Sequence, residues 1–167
     1  MNVETLVLGF LDTNCYILTK NDKCIVIDPA AEYKKISSKL KGKELLGILI
    51  THNHPDHIGA LKDIEKKAKV YDLKEGNHRI GPFHFEVIDT KGHTSDSKTY
   101  YFKKDNLMFT GDFLFKETIG RTDLPTGDMR EMKKSIENIK KYPDCKIFPG
   151  HGESTTLNYE KENNIFF

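Results

Sequence analysis

Residues 51–57 read THNHPDH, which places four metal-binding side chains in one short loop: His52, His54, Asp56 and His57. Side chains two positions apart in extended backbone point the same way, so His52 and His54 are predicted to bind one ion. Pro55 then bends the chain and directs Asp56 and His57 towards a second point, about one metal–metal spacing (~3.5–4 Å) away. The loop therefore predicts a site for two metal ions.

Three further candidate ligands follow predicted strands in the same manner. His93 comes just after FHFEVIDT, Asp112 after NLMFT and His151 after KIF, and the first loop follows the apolar run LLGILI. Neighbouring glycines reduce side-chain bulk beside these positions: Gly92, Gly111, Gly150 and Gly152. Singly, His93 or His151 could be an ordinary hydrogen-bonded histidine, and Asp56 could cap a helix. If the four strand ends share one rim, their side chains converge on one cleft.

The donor set also indicates which metals it suits. It combines neutral imidazoles with carboxylates and contains no cysteine, which is typical of sites for borderline-hard dications. We expect two divalent metal ions, zinc first, with iron or manganese as alternatives. His78 and His84 show no comparable context and are predicted to be surface or packing residues.

The order of predicted elements favours a layered mixture of helices and strands. Short β-rich runs (VETLVLG, NCYILTK, KCIVIDP) come first, followed by a helix over AEYKKISSKLKG and the strand LLGILI. A helix is predicted from Ile58 to Ala68, then strands at KVYD, FHFEVIDT, KTYYFKK and NLMFT. A capped helix over DMREMKKSIENIKK and the strand KIFPG complete the pattern. This order suits two sheets packed face to face with helices outside.

Composition limits the remaining possibilities. The 167 residues are predicted to form one domain, residues 1–167, and 37% of them are hydrophobic, enough for a core. The net charge of +1 gives no field for binding nucleic acid, and no apolar run could span a membrane. The N-terminus lacks a secretory signal, and three scattered cysteines favour reduced thiols, so we expect a cytoplasmic protein with a small-molecule substrate. The oligomeric state stays open.

The motifs THNHPDH, GHT, TGD and PGHG, in this order, resemble those of the metallo-β-lactamase superfamily over nearly the whole chain. Within it, NCYIL, IDP, IGRTDLPTGD and PGHGESTT are similar to small glyoxalase II-like hydrolases. The resemblance implies a four-layer αββα sandwich with a two-metal cleft. It implies that His52, His54 and His93 hold one metal, that Asp56, His57 and His151 hold the other, and that Asp112 bridges them.

The resemblance also implies a metal-dependent hydrolase that acts on thioesters such as S-lactoylglutathione. A hydroxide between the two metals would be the nucleophile, and Asp56 would take or relay a proton during turnover. Arg121 stands where these enzymes place a basic glutathione contact, and we expect it either to clamp a substrate carboxylate or to form a loop-fixing salt bridge with Asp123.

The chain departs from the glyoxalase II pattern in several places. Only sixteen residues follow His151, so the C-terminal helical domain that completes the glutathione site is expected to be missing. Asp123 stands where those enzymes have a tyrosine. Those enzymes have a second tyrosine after the last ligand histidine, where this chain has Gly152-Glu153. Asp96 lies where the family often has glycine, and left-handed backbone at Asp96 would preserve that turn.

Other functions stay open as alternatives. A persulfide dioxygenase with a single iron shares the HxHxDH and GRTD-type motifs but differs after the last histidine. A phosphodiesterase similar to tRNA-processing nucleases fits poorly with the neutral charge. Classical β-lactamases commonly have cysteine where Asp112 stands, flavodiiron proteins have glutamate where His54 stands, and a complete ligand set disfavours a non-catalytic binding module.

Overall fold

The computed structural model describes residues 1–167, and most of its strands lie in two sheets. The first sheet has the order β1-β2-β3-β4, with β1 at Asn2–Leu8, β2 at Thr13–Lys20, β3 at Lys23–Ile27 and β4 at Glu44–Leu49. The second has the order β12-β11-β8-β7-β6-β5, with β5 at Gly76–Ile80, β6 at Phe83–Asp89, β7 at Lys98–Phe102, β8 at Leu107–Gly111, β11 at Lys146–Pro149 and β12 at Thr155–Thr156.

A small hairpin and five helices complete the chain. The hairpin consists of β9, Leu114–Phe115, and β10, Thr118–Ile119. The helices are α1, Tyr33–Lys39; α2, Pro55–Ile58; α3, Leu61–Ile64; α4, Met129–Ile139; and α5, Leu157–Asn163. None of these helices is long and apolar enough to cross a bilayer.

Three apolar clusters separate four layers of structure. Between the sheets, Tyr16 and Leu18 of β2 belong to the same cluster as Phe85 of β6 and Phe109 of β8. On the outer face of the first sheet, the alternate side chains Cys15 and Ile17 pack with α1 and α3. On the outer face of the second sheet, Met108 and Ile147 pack with α4 and α5. Because successive side chains of a strand face opposite sides, the apolar run of β2 serves two interfaces. The predicted αββα arrangement is confirmed.

Strand direction brings the candidate ligands together. β8 and β11 pair in parallel, whereas β7 pairs antiparallel with both β6 and β8. Consequently β6, β8 and β11 run in one direction, and their carboxyl ends meet at one edge of the sheet. β4 ends at the facing edge of the first sheet, so all four ligand-bearing loops lie on one rim.

Some predicted elements differ in the structure. The helix predicted from Ile58 to Ala68 is interrupted between α2 and α3, and KVYD forms no strand beyond one isolated bridge from Val70 to Ile48. β5, β9 and β10 were not predicted. Asp128 does cap α4, since its carboxylate accepts hydrogen bonds from the backbone N–H of Arg130 and Glu131. The reciprocal bond of a capping box is absent, because the Asp128 N–H donates to Gly92 O instead.

Candidate metal centre

His52, His54 and His93 bring three imidazole nitrogens together at the rim. His54 Nδ1 lies 3.1 Å from His52 Nε2 and 3.0 Å from His93 Nε2. Two nitrogen ligands of one tetrahedral zinc ion, each at a Zn–N distance of about 2.0–2.1 Å, are separated by about 3.3 Å. The three nitrogens therefore have the spacing of ligands to a single ion, and we call them the first cluster.

Asp56, His57 and His151 form the second cluster. Their ligand atoms lie within 4.8 Å of one another. Asp56 Oδ2 is 3.4 Å from His57 Nε2 and 3.2 Å from His151 Nε2. His57 is fully buried within α2, whereas His151 and Asp56 are partly exposed. The alternative in which Asp56 only caps a helix is excluded, because α2 begins after His54 and no side chain caps it.

Asp112 lies between the two clusters. Its Oδ2 is 3.6 Å from His93 Nε2 and 3.4 Å from His151 Nε2, and its Oδ1 is 3.2 Å from His57 Nε2. His57 Nε2 and Asp112 Oδ1 are nevertheless buried without any hydrogen-bond partner. Leaving a buried polar atom unpaired costs about 1–3 kcal/mol. A cation bound between them would satisfy both atoms, so the residues present fit a metal ion.

A buried aspartate that the sequence analysis did not assign to the site orients two of these histidines. Asp28 Oδ2 accepts hydrogen bonds from His57 Nδ1, at 2.8 Å, and from the Thr51 hydroxyl, at 2.6 Å. Thr51 Oγ1 in turn lies 3.2 Å from His52 Nδ1. With Nδ1 protonated, each imidazole keeps its Nε2 lone pair for a metal. Asp28 therefore acts on one histidine of each cluster.

Backbone carbonyls fix two further imidazoles. His93 Nδ1 lies 2.8 Å from Arg121 O, and His151 Nδ1 lies 2.9 Å from Leu11 O. Thr13, which was also missed, donates its hydroxyl to Asp56 Oδ2 at 2.9 Å. Of these partners only Thr13 acts through its side chain, so the sequence carried almost no signal for them.

Two glycines permit the close approach of the ligand-bearing loops. A Cβ atom on Gly150 would lie 2.0 Å from Asp112 Oδ1 and 2.8 Å from His57 Cε1. A Cβ atom on Gly120 would lie 1.7 Å from Asp112 O. Real Cβ atoms do not approach so closely, so these positions exclude any larger residue. The predicted need for a small residue at Gly150 is confirmed.

Burial and neighbouring charges change the pKa values of the two clusters in different directions. Burial lowers the pKa of His52 to about 4, so this imidazole is neutral and able to bind a metal. Burial also acts to lower the pKa of His57, but the negative charges of Asp28 and Asp112 outweigh it and raise that pKa to about 10, so a metal ion binds Nε2 by displacing its proton. Burial raises the pKa of Asp112, whereas its contacts with His151 and His57 hold it far below its usual value. The second cluster is thus rich in negative charge and attracts cations.

Two charged residues at the edge of the site, Arg121 and Asp96, form hydrogen bonds to side chains outside the two clusters. Arg121 donates from its guanidinium to both carboxylate oxygens of Asp123, each at 2.7 Å, so the expected loop salt bridge is present. Both side chains are exposed. Asp96 accepts a hydrogen bond from Asn53 Nδ2 at 2.5 Å, and its backbone does not take the left-handed conformation that would have preserved the turn of the family. His84 lies on the exposed face of β6, well apart from the clusters.

The layered fold and its rim of imidazole and carboxylate donors define a protein of the metallo-hydrolase class. The family model described as the metallo-beta-lactamase superfamily matches residues 8–87 and 72–151. The chain therefore belongs to the metallo-β-lactamase superfamily.

Two curated relatives extend over almost the full chain. The chain is 34% identical to "Probable metallo-hydrolase YqgX" of Bacillus subtilis, and the alignment covers 99% of this chain and 97% of the relative. It is 29% identical to "Hydroxyacylglutathione hydrolase GloC" of Haemophilus influenzae, with 99% and 98% covered.

Three solved structures superpose closely on this chain. "BLEG-1 B3 metallo-beta-lactamase" has a TM-score of 0.95 at 30% identity and covers 99% of both chains. "TTHA1623 in a di-iron-bound form" has a TM-score of 0.89 at 28% identity and covers 99% of this chain and 100% of its own. "ETHE1 from Myxococcus xanthus" has a TM-score of 0.88 at 27% identity and covers 99% and 84%. The αββα sandwich is therefore a metallo-β-lactamase fold.

Proposed function

We propose that this protein is a thioester hydrolase acting on S-lactoylglutathione or a related small acyl thioester, with two divalent metal ions, zinc first. The observation that carries the proposal is the position of Asp112, within 3.6 Å of a histidine from each cluster. A carboxylate in that position can bridge two ions. The 29% identity with the hydroxyacylglutathione hydrolase of Haemophilus influenzae supports the choice of substrate.

In this proposal each cluster binds one metal ion, and the spacing of the ligand atoms supports that assignment. His52, His54 and His93 would hold one ion, Asp56, His57 and His151 would hold the other, and Asp112 would bind both. When bound, the ions supply Lewis acidity, which lowers the pKa of a water molecule and polarises the substrate carbonyl. The di-iron-bound form of a similar structure keeps iron as an alternative to zinc.

The side chains around the ions have separate tasks. Asp28 and the carbonyls of Arg121 and Leu11 keep the imidazoles in the orientation that leaves their lone pairs available. Thr13 donates to Asp56 Oδ2 and so restrains this carboxylate beside the reaction centre. Asp56 accepts or relays a proton during turnover, and the thiolate leaves readily because thiols are stronger acids than alcohols.

Arg121 is proposed to contact a carboxylate of the substrate. Its guanidinium is exposed, its own backbone carbonyl accepts from His93 Nδ1, and its partner Asp123 is also exposed. An exposed ion pair contributes little stability, about 0–1 kcal/mol, so a substrate carboxylate can replace Asp123 at low cost. Arg121→Ala should then raise KM for an anionic thioester with little change in kcat, and Arg79→Ala serves as a control at a distant exposed arginine.

β-Lactam hydrolysis is a second candidate, because the structure with a TM-score of 0.95 is that of a B3 metallo-β-lactamase. A β-lactam ring and a thioester both present an acyl carbon to the same nucleophile. Parallel assays with S-lactoylglutathione and a chromogenic cephalosporin separate the two substrates. Faster turnover of the cephalosporin would replace the thioester proposal.

The test of the metal assignment compares His54→Ala with His84→Ala. Loss of His54 removes one of three nitrogens from the first cluster, whereas His84 is exposed on β6. We expect His54→Ala to lose bound metal and activity together while its circular dichroism spectrum is unchanged. His84→Ala should retain both. Full activity of His54→Ala would overturn the assignment.

A further inference from the structure

Glu160 on α5 is fully buried, and only neutral donors reach its carboxylate. Oε1 accepts a hydrogen bond from the Thr155 hydroxyl at 2.6 Å. Oε2 accepts from the Glu117 backbone N–H and from Asn164 Nδ2, both at 2.8 Å. Burying a carboxylate is costly unless its oxygens are well hydrogen-bonded. Such a group at 0% exposure therefore fixes the segments that supply its donors.

Those donors come from segments that adjoin the metal centre. Glu117 lies in the turn of the β9–β10 hairpin, which begins two positions after Asp112. Thr155 lies in β12, four positions after His151. Asn164 follows α5 and also donates to Thr118 O at 3.1 Å. The Glu160 carboxylate thus joins the loop after Asp112 to the loop after His151.

Both ends of the hairpin, and one of its side chains, reach the metal centre. Gly120 packs so tightly against Asp112 O that it has no room for a Cβ atom. The next residue, Arg121, accepts the hydrogen bond from His93 Nδ1 through its carbonyl. The Phe115 ring lies 6.1 Å, centroid to centroid, from the His151 ring. A displacement of the hairpin would therefore move candidate ligands of both clusters.

The turn of the hairpin also requires external restraint. Glu117 has φ of +62°, a left-handed conformation that non-glycine residues rarely adopt. Its N–H is the group that donates to Glu160 Oε2. Strained backbone of this kind persists when surrounding contacts determine it. Loss of the Glu160 acceptor would remove the backbone contact that holds this turn and leave the hydrogen bond from the Tyr159 hydroxyl to the Glu117 carboxylate.

We propose that Glu160 is a positioning residue for the metal centre, which makes α5 part of the support of Asp112 and His93. The inference rests on the proposed function only in requiring that these residues bind metal. It predicts that the metal-binding geometry depends on the Glu160 carboxylate more than on the stability of α5 itself.

The test uses the full chain loaded with cobalt(II), whose visible absorption reports the geometry of its ligands. We expect Glu160→Ala to weaken cobalt affinity about tenfold or more, measured by competition with a chelator, and to change the visible spectrum. Glu160→Gln should restore both to near wild-type values. The glutamine oxygen can keep the two N–H donors on Oε2, and the Thr155 hydroxyl can rotate to accept from the glutamine NH₂.

The matched control is Thr156→Ala. The Thr156 hydroxyl caps α5 by accepting from the Tyr159 N–H, and it makes no hydrogen bond to the hairpin. This variant should melt at a lower temperature yet keep the wild-type cobalt affinity and spectrum. If Glu160→Ala lowers only the melting temperature and matches Thr156→Ala in affinity and spectrum, the proposal is overturned.

A milder variant keeps the test decisive if Glu160→Ala does not fold. Thr155→Val removes one of the three donors with almost no change in shape, and we expect about a threefold loss of cobalt affinity. Unchanged affinity and spectrum in Thr155→Val would then contradict the proposal. The cobalt measurements involve no substrate. If the wild-type protein binds cobalt but hydrolyses no thioester, the proposed function is refuted, and the comparison of cobalt affinity between the Glu160 variants remains valid.

Discussion

Replacement of Asp28 by asparagine tests how the protein holds His57 ready for a metal ion. Asp28 is almost completely buried and accepts three hydrogen bonds, from Thr51 N, Thr51 Oγ1 and His57 Nδ1. An amide can accept at only one of its two positions. If its NH₂ faces His57, then Nδ1 must lose its proton and Nε2 must gain it. If the NH₂ faces Thr51 N, the amide N–H and the backbone N–H are two donors with no acceptor between them.

Either orientation weakens the second cluster. A protonated Nε2 cannot bind a metal, and loss of a carboxylate that orients a metal-bound histidine typically costs 10–100-fold in affinity. That range corresponds to about 1.4–2.8 kcal/mol of metal-binding free energy, at about 1.4 kcal/mol per factor of ten. The first cluster should suffer less, because Asp28 reaches His52 only through Thr51.

Isothermal titration with zinc and elemental analysis of the dialysed protein measure this effect. We expect Asp28→Asn to retain about one zinc per chain where the wild type retains two. Asp105→Asn, which alters an aspartate bound to Lys20 far from the rim, should leave zinc binding unchanged. Two zinc ions bound by Asp28→Asn at wild-type affinity would refute the argument that Asp28 fixes the His57 tautomer.

Three further predictions concern the close contacts, the proposed proton relay and a surface ion pair. Gly150→Ala should lose zinc affinity, because its Cβ atom would meet Asp112 Oδ1 at 2.0 Å, whereas Gly42→Ala, with φ of +75° and open space around it, should only lower the melting temperature. Asp56→Asn should lower kcat about 10²-fold with metal still bound, and an active variant would exclude the relay. Burial raises the pKa of Asp105, but the hydrogen bonds and charges of Lys20 and the N-terminal ammonium together outweigh it and lower that pKa below its usual value. The ion pair should add about 1 kcal/mol or less to the free energy of unfolding at pH 7, and this contribution should disappear as the pH falls below about 3.8 and Asp105 is protonated. Urea titrations of wild type and Lys20→Met should therefore differ at pH 7 and give the same free energy of unfolding at low pH.

The parts of the fold that sequence predicted well are those whose pattern follows from burial. β6 alternates buried Phe83, Phe85 and Val87 with the more exposed His84 and Glu86, and this period of two is visible in the sequence. β2 and β3 each contain a continuous apolar run, Cys15–Leu18 and Cys24–Ile27, because both of their faces are covered there. α4 has a clear polar cap and one apolar face.

The missed elements have no such pattern. β5 reads GNHRI and buries only Ile80, because it is an edge strand with mostly exposed side chains. The predicted helix from Ile58 to Ala68 is interrupted after Gly59, whose missing Cβ atom would lie 2.3 Å from Ala30 O. That contact depends on a segment almost thirty residues away, which local periodicity does not reveal.

The same distinction applies to the candidate site. The candidate ligands could be predicted because imidazole and carboxylate groups after strands, beside glycines, are rare outside metal sites. Their supporting partners could not be, because Leu11 and Arg121 act through backbone carbonyls that every residue has. Asp28 lies at the end of another strand, and Glu160 lies in a polar helix where a buried glutamate looks like an exposed one.

The most direct test of the account is hydrolysis of S-lactoylglutathione by zinc-loaded protein, with a chelator-treated sample as the control. We predict chelator-sensitive turnover with kcat/KM above about 10⁴ M⁻¹s⁻¹, the lower bound of efficient enzymes, restored when zinc is returned. Protein that holds two zinc ions per chain and yet leaves S-lactoylglutathione and other small thioesters intact would contradict the proposed function.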